Sequence, residues 1–501
     1  MIMTPHSVPT QSDPTRVLVL GASGYVGTHL VPFLAARGFA LRAAARRREA
    51  LEARGWKDVE VVQADALAPE TLDTALAGID VAYYLVHSMA AGRDFPRLDR
   101  VAAQNFRDAA ARAGVKRIVY LGGLLPAGKA SAHLESRGET GAILREGPVP
   151  VTEVRAGVII GPGSAAFEVI RDLVFHLPGM VTPRWVRSRS QPIALDDVLE
   201  YLARLPSLPE AAGAIYDAGG PEVLTYEDLM RQFGALVGRR PRILPVPVLT
   251  PKLSSYWLNL VTAVPTNVAR ALIEGLEHDV LANDHAIRQL IPLRLKTYRE
   301  AAEATLAAER AGPSQPRWTE GSMLHRQHRP DFAYYAKQMR GVAVTSAPRD
   351  AVWRTVRAIG GENGYYFLDG LWTLRGQLDR LAGGTGLSRG RRDPHDIAAG
   401  DVIDFWRVAA VEPGRRLTLL AEMKLPGSAT LEFELQPEAG GRTRIVVTGY
   451  FHPAGAPGLV YWHALGPAHV VIFPGLAKAI ARRAERSDAG AHEPVSAGHS
   501  R

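Results

Sequence analysis

The chain has 501 residues, 47% of them hydrophobic and 22% charged, which is the composition of a globular protein too long for a single core. The absence of cysteine excludes disulfides, thiolate metal sites and cysteine nucleophiles. A formal net charge of +8 favours anionic partners such as a phosphate-bearing cofactor. No basic stripe interleaved with aromatic residues accompanies this charge, so we expect no nucleic-acid binding.

The first half of the chain alternates short apolar runs with helical stretches. The apolar runs predict six strands, at 16–20, 40–45, 59–63, 81–86, 117–121 and 151–155. The stretches between them predict helices at 28–37, 49–54, 70–77 and 98–113. Strands and helices that alternate at this spacing form βαβ units, so we predict an α/β Rossmann domain with a doubly wound parallel sheet.

The segments beyond residue 160 are expected to build the substrate side of this domain. A helix is predicted to begin near Asp196 or Asp197, either of which would serve as its N-cap. A strand and turn are predicted over Ala214–Pro221. Thr225 and Asp228 then have the spacing of a capping box at the start of the next helix.

A glycine-rich segment separates the first strand from the first helix. Its glycines, Gly21, Gly24 and Gly27, allow a tight turn and a close approach of the backbone to a pyrophosphate. The helix N-terminus then offers free amides to the phosphates. The residues that complete this predicted cofactor-binding segment are Ala22, Ser23, Tyr25 and Val26. The alternative is a glycine-rich turn without a ligand.

The end of the second strand bears on the choice of cofactor. A carboxylate at this position would bind the ribose diol of NAD, whereas an arginine accommodates the 2′-phosphate of NADP. The chain has Arg46 and Arg47 here, and the first carboxylate is Glu49. We therefore expect NADP(H) as the preferred cofactor. NAD(H) is the alternative if these arginines are only solvated residues at a helix start.

Five segments of the first half carry a resemblance to a known family. They are GASGYVG at 21–27, QAD at 63–65, VKRIVYLG at 115–122, TEVRAGVIIG at 152–161 and YDAGGP at 216–221. On these segments, residues 15–307 resemble the extended and atypical short-chain dehydrogenase/reductases, including NmrA-like proteins. The resemblance implies that Asp65 and Ala66 lie beside the adenine. It also implies that Val86 and His87 line the cofactor, although His87 would equally fit a surface loop.

The chain departs from this family at the expected catalytic residues. The family uses a serine and a Tyr-x-x-x-Lys pair, whose tyrosine exchanges a proton with the carbonyl during hydride transfer. The corresponding helix has His133 and Arg137 instead, and no tyrosine lies between Tyr120 and Tyr201. By position, Arg137 is expected to hold the ribose and His133 to act as a general acid or base near neutral pH. The alternative is that His133 is a helix-face residue without a role.

The second half of the chain has a different pattern. A linker is predicted at 308–317, followed by strands at 341–345, 401–407, 416–422, 429–435 and 443–450 and by helices at 348–359 and 468–486. We therefore predict a separate domain over 318–486 with an α+β helix-grip fold, in which an antiparallel sheet wraps the last helix. It resembles the START-like lipid- and polyketide-binding superfamily, and more closely an uncharacterised domain often fused to NmrA-like bacterial proteins.

A helix-grip fold offers an apolar cavity, which implies a small apolar ligand or substrate. The residues expected to line it are Trp406, Met423, Tyr450, Trp462 and Phe473, which would also serve as an ordinary core. We expect no metal site, because His463 and His469 do not have the spacing of helix-face ligands.

The termini and one apolar stretch bear on location. Residues 1–14 have no apolar run typical of a signal peptide, and 1–14 and 487–501 are both predicted to be disordered tails. Residues 458–477 are apolar over the length of a membrane span, but Pro467 and Pro474 interrupt them. We favour a cytoplasmic protein with a buried C-terminal helix, and membrane association is the alternative.

Two functions fit these features. The first is an NADP(H)-dependent oxidoreductase that acts on a hydrophobic small molecule handled by the C-terminal domain. The second is a non-catalytic dinucleotide sensor or assembly factor with a protein partner, similar to NmrA or to the Rossmann-fold accessory subunit of respiratory complex I. The missing tyrosine supports the second function, and NADPH turnover with quinones, enones and lipid carbonyls would distinguish the two.

Overall fold

The structure, a computed structural model, describes residues 14–246, 278–311 and 336–492, with gaps at 53, 88–93, 127, 129, 178, 382–392 and 394–395. These residues form two compact units. The first unit contains the described residues up to Ala311, apart from 175–177, and the second contains those from 336 onward.

The first unit is built on a parallel sheet. The strands of this unit in chain order are β1 (Arg16–Leu20), β2 (Ala40–Ala45), β3 (Val59–Gln63), β4 (Val81–Tyr84), β5 (Arg117–Gly123), β6 (Val151–Ala156), β7 (Ile159–Ile160), β8 (Gly179–Pro183), β9 (Arg189–Ser190), β10 (Ile193–Ala194), β11 (Ile215–Ala218), β12 (Leu224–Thr225) and β13 (Arg242–Val246). Seven of them form one parallel sheet in the order β11-β6-β5-β4-β1-β2-β3. The other strands pair in twos: β7 with β10, β9 with β12 and β8 with β13.

Helices cover both faces of this sheet. The helices of this unit are α1 (Tyr25–Ala35), α2 (Arg48–Glu52), α3 (Pro69–Leu76), α4 (Phe95–Arg112), α5 (Ala132–Arg145), α6 (Ala165–His176), α7 (Leu195–Arg204), α8 (Tyr226–Leu236), α9 (His285–Leu290) and α10 (Tyr298–Ala311). Leu30 of α1 and Val19 of β1 belong to the hydrophobic core on one face, and Phe106 of α4 and Leu20 of β1 belong to the core on the other. The strands are therefore buried on both sides, and the predicted doubly wound Rossmann sheet is confirmed.

The helix starts differ in detail from the predictions. The N-cap of α7 is Ala194, so the expectation that Asp196 or Asp197 caps this helix is wrong. Both aspartates lie in the first turn instead, and an Asp197 carboxylate oxygen accepts the amide of Lys296 at 2.9 Å. Thr225 does form the expected capping box with Asp228, because its hydroxyl accepts the Asp228 amide at 3.1 Å.

The second unit contains one antiparallel sheet and a long last helix. Its strands are β14 (Lys337–Thr345), β15 (Val402–Ile403), β16 (Trp406–Glu412), β17 (Arg416–Ala421), β18 (Gly427–Glu438) and β19 (Arg442–Pro453). Its helices are α11 (Arg349–Arg357), α12 (Asp369–Leu381), α13 (Gly455–Ala464) and α14 (Gly466–His492). The sheet has the order β14-β19-β18-β17-β16-β15, and every pair in it is antiparallel, as predicted.

A turn divides one predicted strand. The sequence predicts a single strand at 401–407, but β15 ends at Ile403 and β16 begins at Trp406. Asp404 has a φ of 52° between them, which breaks the extended backbone. Its carboxylate accepts the phenol of Tyr365 at 2.9 Å, so a buried hydrogen bond holds the turn in place. The apolar alternation of this segment does not reveal such a turn.

The helix α14 packs closely on the sheet through a glycine of β14. A Cβ built on Gly341 would overlap the carbonyl group of Phe473, so only glycine allows the two backbones to approach this closely. Leu476, Ala477 and Ile480 of the same helix are buried in the core of the second unit. The sheet and its last helix thus share one core.

The predicted linker and tails are only partly described. Residues 308–311 of the linker belong to α10, and 312–317 lie outside the described residues. The C-terminal tail was predicted to begin at 487, but α14 continues to His492, and the Ser487 hydroxyl donates to the Arg483 carbonyl at 3.0 Å. Residues 1–13 and 493–501 lie outside the described residues.

No single helix among the described residues is both long and apolar enough to cross a membrane. The pair α13 and α14 passes that test of length and composition when taken together, with a bend of 60° at the break between them.

Candidate dinucleotide and catalytic site

The turn after β1 requires a glycine at position 21. Gly21 has a φ of 90°, and a Cβ there would lie 2.8 Å from the carbonyl oxygen of Leu85. The amides of Gly21 and Ala22 donate to the Ala44 carbonyl, at 3.0 and 3.1 Å. The turn is therefore held by the end of β2 and lies directly against the segment that follows β4.

The first turn of α1 forms a cradle for an anion. Gly24 is its N-cap, without a side-chain hydrogen bond, and the first turn has no acidic residue. Among the described atoms, a Cβ at Gly24 would approach only the Gly21 carbonyl oxygen, at 3.2 Å, so space is open above the helix end. Free amides and the positive end of the helix dipole meet in that space, and these residues fit a pyrophosphate.

The other residues of the glycine-rich segment divide between the core and the surface. Ala22 is buried, and Tyr25 and Val26 pack partly against the hydrophobic core, whereas Ser23 is exposed. A Cβ at Gly27 would overlap the carbonyl oxygen of Gly21. Gly27 therefore serves the close packing of α1 on the turn.

Arg46 and Arg47 lie at the carboxyl end of β2, and both are exposed. The backbone of Arg46 is fixed because its carbonyl accepts Nε2 of Gln63 at 3.1 Å. In the described part of the chain no carboxylate pairs with the Arg46 guanidinium, whereas Arg48 bonds Glu52 at 2.7 Å. Arg46 therefore stands at the end of β2 with its charge available to a phosphate.

Asp65 and Ala66 follow β3 in a well-braced loop. An Asp65 carboxylate oxygen accepts the Leu67 amide at 3.0 Å, and the Asp65 amide donates to the Thr71 hydroxyl at 2.9 Å. Nδ2 of Asn105 donates to the Ala66 carbonyl at 2.9 Å. The sequence does not indicate this bond, because Asn105 lies on the separate helix α4. Hydrogen bonds with residues of α3 and α4 thus hold the loop that is predicted to lie beside the adenine.

The segment after β4 lies next to the glycine turn. In the sheet β4 and β1 are neighbours, and the strand order reverses between them, so their carboxyl ends flank the crevice where such folds bind ligands. Val86 is partly buried and His87 lies at the surface. Partial desolvation lowers the pKa of the His87 imidazole below its usual value, and the Arg137 guanidinium adds to this effect.

The helix α5 brings His133 and Arg137 to the same place. Ser131 caps the helix by accepting the Leu134 amide at 3.4 Å. The guanidinium of Arg137 donates to the Leu121 carbonyl near the end of β5. Arg137 lies near enough to both His87 and His133 to lower the pKa of each, and His87 also lowers that of His133. The structure therefore gathers His87, His133 and Arg137 beside the crevice.

The pKa of His133 differs from the sequence-based expectation. Partial burial is the main cause, and Arg137 and His87 add to it, so that the pKa of His133 falls to about 3. The expectation of a histidine that titrates near neutrality is therefore wrong. At pH 7 the imidazole is neutral, and its N–H is a hydrogen-bond donor rather than a strong acid.

Among the residues that the structure describes, we find no tyrosine in the place of the missing proton donor. Tyr120 is the nearest in sequence, but its phenol donates to the Arg137 carbonyl at 2.9 Å and is part of β5. Burial also raises the pKa of the Tyr120 phenol above its usual value. Its role is to hold α5 against the sheet.

The second unit contains an apolar cavity of about 240 Å³. All five residues predicted to line it do so: Trp406, Met423, Tyr450, Trp462 and Phe473. The sequence did not indicate the contribution of α12, which supplies Leu371, Leu374 and Arg375 to the wall. That helix was absent from the predicted elements, and its apolar residues alone do not show which way it faces.

Two family models match separate parts of the chain. Residues 21–146 match a family described as NAD(P)H-binding, and this match contains the glycine turn, Arg46, Asp65 and α5. Residues 332–476 match a protein family of unknown function, DUF2867.

Two curated proteins are similar to part of the chain. A ceramide reductase from Caulobacter vibrioides (strain NA1000 / CB15N) is 27% identical over 244 residues, which are 46% of this chain and 73% of that protein. A 4-hydroxy-2-methyl-3-oxo-4-farnesyl-3,4-dihydroquinoline-1-oxide ketoreductase from Stigmatella aurantiaca is 30% identical over 109 residues, which are 21% of this chain and 33% of that protein.

Solved structures with a similar fold include a triphenylmethane reductase from Citrobacter sp. in complex with NADP(H). It is 19% identical with a TM-score of 0.49, over 58% of this chain and 99% of that chain. An NADPH-dependent quinone oxidoreductase from Escherichia coli in complex with NADPH is 18% identical with a TM-score of 0.49, over 57% of this chain and 99% of that chain. The match to the nucleotide-binding family and the cradle above α1 agree: the first unit of this protein is an NAD(P)H-binding domain.

Proposed function

We propose that the protein is an NADP(H)-dependent reductase of a carbonyl group on a hydrophobic small molecule. The observation that carries the proposal is the cluster of His87, His133 and Arg137, which lies at the carboxyl ends of β4 and β5 beside the glycine turn. Both curated relatives are named as reductases, one of a ceramide and one of a farnesyl-bearing ketone. An apolar substrate also fits the cavity of the second unit.

The cluster supplies what hydride transfer to a carbonyl needs from the protein. NADPH provides the hydride when it is bound. Neutral His133 donates its N–H to the carbonyl oxygen. We assign Arg137, which lies close to His133, to the negative charge that develops on that oxygen rather than to the ribose that its position implies. Because the neutral imidazole of His133 is not an acid at pH 7, the alkoxide takes its proton from water. Tyr120 takes no part, since its phenol holds α5.

Turnover decides between this function and a dinucleotide sensor. We expect the full-length protein to oxidise NADPH in the presence of at least one member of a panel of quinones, enones and lipid aldehydes and ketones. The measurement is the loss of NADPH absorbance, with identification of the reduced product. If the protein binds NADPH but reduces none of these compounds, the non-catalytic dinucleotide sensor becomes the favoured function.

We infer that NADP(H) is preferred over NAD(H) because of Arg46. Substituting Arg46→Asp should remove a charge-assisted contact to the 2′-phosphate and weaken NADPH binding about 10- to 100-fold. NADH has no such phosphate and should be affected much less. Titration calorimetry with both cofactors measures the difference.

The matched control for this test is Arg48→Asp, which makes the same change of charge two residues away. Arg48 is exposed and already bonded to Glu52, so we expect little effect on either cofactor. Equal losses of NADPH and NADH affinity in Arg46→Asp would show that Arg46 does not select the cofactor.

We also propose that the second unit is a ligand-binding helix-grip domain. The support is an antiparallel sheet that shares its core with α14, together with a cavity bounded by that helix and by β18 and β19. An engineered apolar cavity of about 150 Å³ is enough for benzene, so a cavity of about 240 Å³ admits a larger ring system.

A further inference from the structure

The charge around the cavity of the second unit is unbalanced. Among the described residues that line it, Arg375 is the only side chain with a full charge at pH 7, and no aspartate or glutamate is present. The remaining wall is mostly aliphatic and aromatic. A guanidinium at the edge of an apolar space favours a ligand whose anionic group can reach it.

Arg375 has no acidic partner in the described part of the protein. The side chain of Arg375 instead contacts Tyr461: Cζ lies 5.7 Å from the ring centroid, and the guanidinium donates a hydrogen bond to the Tyr461 phenol. Arg375 is only partly exposed, and Tyr461 also lines the cavity. Tyr461 therefore helps to keep the guanidinium at the cavity and uses one of its five N–H donors, so that the others can bind another group.

Two uncharged polar atoms of the wall also lack a partner. Nε1 of Trp372 and Nδ1 of His469 are buried and have no hydrogen-bond partner among the described residues. The Trp372 ring stacks on Tyr365 with centroids 4.6 Å apart, and the His469 ring lies 4.9 Å from that of Trp462. Packing thus fixes both rings. Buried polar atoms are rarely left unsatisfied, so these two indicate further polar contacts for a ligand.

We propose that the cavity of the second unit binds a ring-containing apolar anion, whose acidic group pairs with Arg375 and whose ring system lies among the aromatic side chains. This inference rests on the proposed ligand-binding role of the cavity and adds the charge of the ligand to it. A carboxylate or sulfonate suits the guanidinium because it can accept two parallel N–H bonds. The aromatic wall favours rings over flexible chains, since stacked and edge-on ring contacts add to apolar burial.

Two fluorescent probes with the same ring framework test the proposal. 1-Anilinonaphthalene-8-sulfonate carries a negative charge, and N-phenyl-1-naphthylamine is its neutral counterpart. Both are titrated into the full-length protein with saturating NADPH present, so that the dinucleotide site is occupied. Ala468→Phe places a ring in the cavity and should abolish the binding of both probes that occurs there.

The substitution Arg375→Met keeps an apolar side chain of similar length and removes the charge. We expect it to weaken binding of the anionic probe at least tenfold and binding of the neutral probe less than twofold. Arg375→Lys should restore part of the anionic affinity. The control is Arg380→Met. Arg380 lies on the same helix, is exposed and does not line the cavity, so this substitution should change neither affinity.

The outcomes separate the two proposals. If both probes bind in the cavity and Arg375→Met changes their affinities equally or not at all, the cavity binds ligands but does not select anions. The inference is then wrong. If Ala468→Phe in a folded protein leaves both affinities unchanged, or if neither probe binds, the ligand-binding role itself fails and the inference falls with it. Circular dichroism melts of each variant establish that the fold is intact.

Discussion

Substitution of Gly24 by valine is expected to abolish NADPH binding while the protein stays folded. Gly24 has φ −74° and ψ 174°, an extended backbone that valine readily adopts. Its Cβ would meet only one described atom, the Gly21 carbonyl oxygen at 3.2 Å, which needs a shift of a few tenths of an ångström. The valine methyl groups would then fill the space above the α1 amides, where the pyrophosphate is expected.

We expect the affinity for NADPH and NADH to fall at least 100-fold, since steric exclusion removes several contacts to the phosphates together. Gly24→Ala, which adds only the Cβ, should have a smaller effect. Calorimetry measures the affinities, and the thermal melt without cofactor serves as the folding control. A folded Gly24→Val protein with unchanged affinity would remove the turn from the binding site.

Substitution of His133 by glutamine is expected to lower kcat/KM for carbonyl reduction about 100-fold. The loss corresponds to one hydrogen-bond donor to the developing oxyanion. Glutamine keeps a polar side chain of similar length but not the position of the ring N–H. The Kd for NADPH should change less than twofold, because His133 is assigned to the substrate rather than to the cofactor. His29→Gln on α1 is a matched control, since that histidine is also partly buried and its pKa is also lowered.

The pH dependence distinguishes this role from that of an imidazolium acid. With the pKa of His133 at about 3, the residue stays neutral across the physiological range. The contribution of His133 to kcat/KM should therefore be flat between about pH 5 and 8, without the loss above neutrality that an imidazolium acid would cause. A decline of wild-type activity centred near pH 6.5 that disappears in His133→Gln would contradict the assignment.

The same pKa has a consequence for stability. His133 binds a proton more readily in the unfolded chain, whose histidine pKa is about 6.5, than in the folded protein, whose pKa is about 3. The free energy of unfolding should therefore fall as the pH drops from about 6.5 towards 3. At pH 5 the loss due to His133 is roughly 2 kcal/mol. His133→Gln should lose less stability than wild type between pH 7 and 5 in denaturant unfolding of the first domain.

Much of the fold follows from sequence pattern because the strands of a doubly wound sheet are buried on both faces. The bounds predicted for the strands at 16–20, 40–45 and 59–63 agree with those of β1, β2 and β3. In the second unit the alternation of apolar and charged residues was enough to indicate the antiparallel strands β17, β18 and β19. The break at Asp404 depends on a hydrogen bond from Tyr365, 39 positions away, which no local pattern contains.

The helix that carries His133 and Arg137 was predictable from the family resemblance, but the environment of the two side chains was not. Both residues lie on α5, and their catalytic role stays a prediction. The pKa of His133, however, depends on burial and on His87, which arrives from β4. In the same way, Arg375 becomes notable only when the fold places it at a cavity without carboxylates. Such properties belong to the tertiary environment rather than to the sequence motif.

The glycine contact between β14 and α14 also bears on how quickly a ligand can enter and leave the second domain. Because no side chain separates the backbone at Gly341 from that at Phe473, α14 cannot recede from the sheet without breaking a close-packed contact. On α12, by contrast, Leu371 and Leu374 line the cavity and are also exposed to solvent. For the ligand proposed above, we therefore expect movement of α12 to set the residence time, so that substitutions on its outer face alter dissociation rates more than equilibrium affinities.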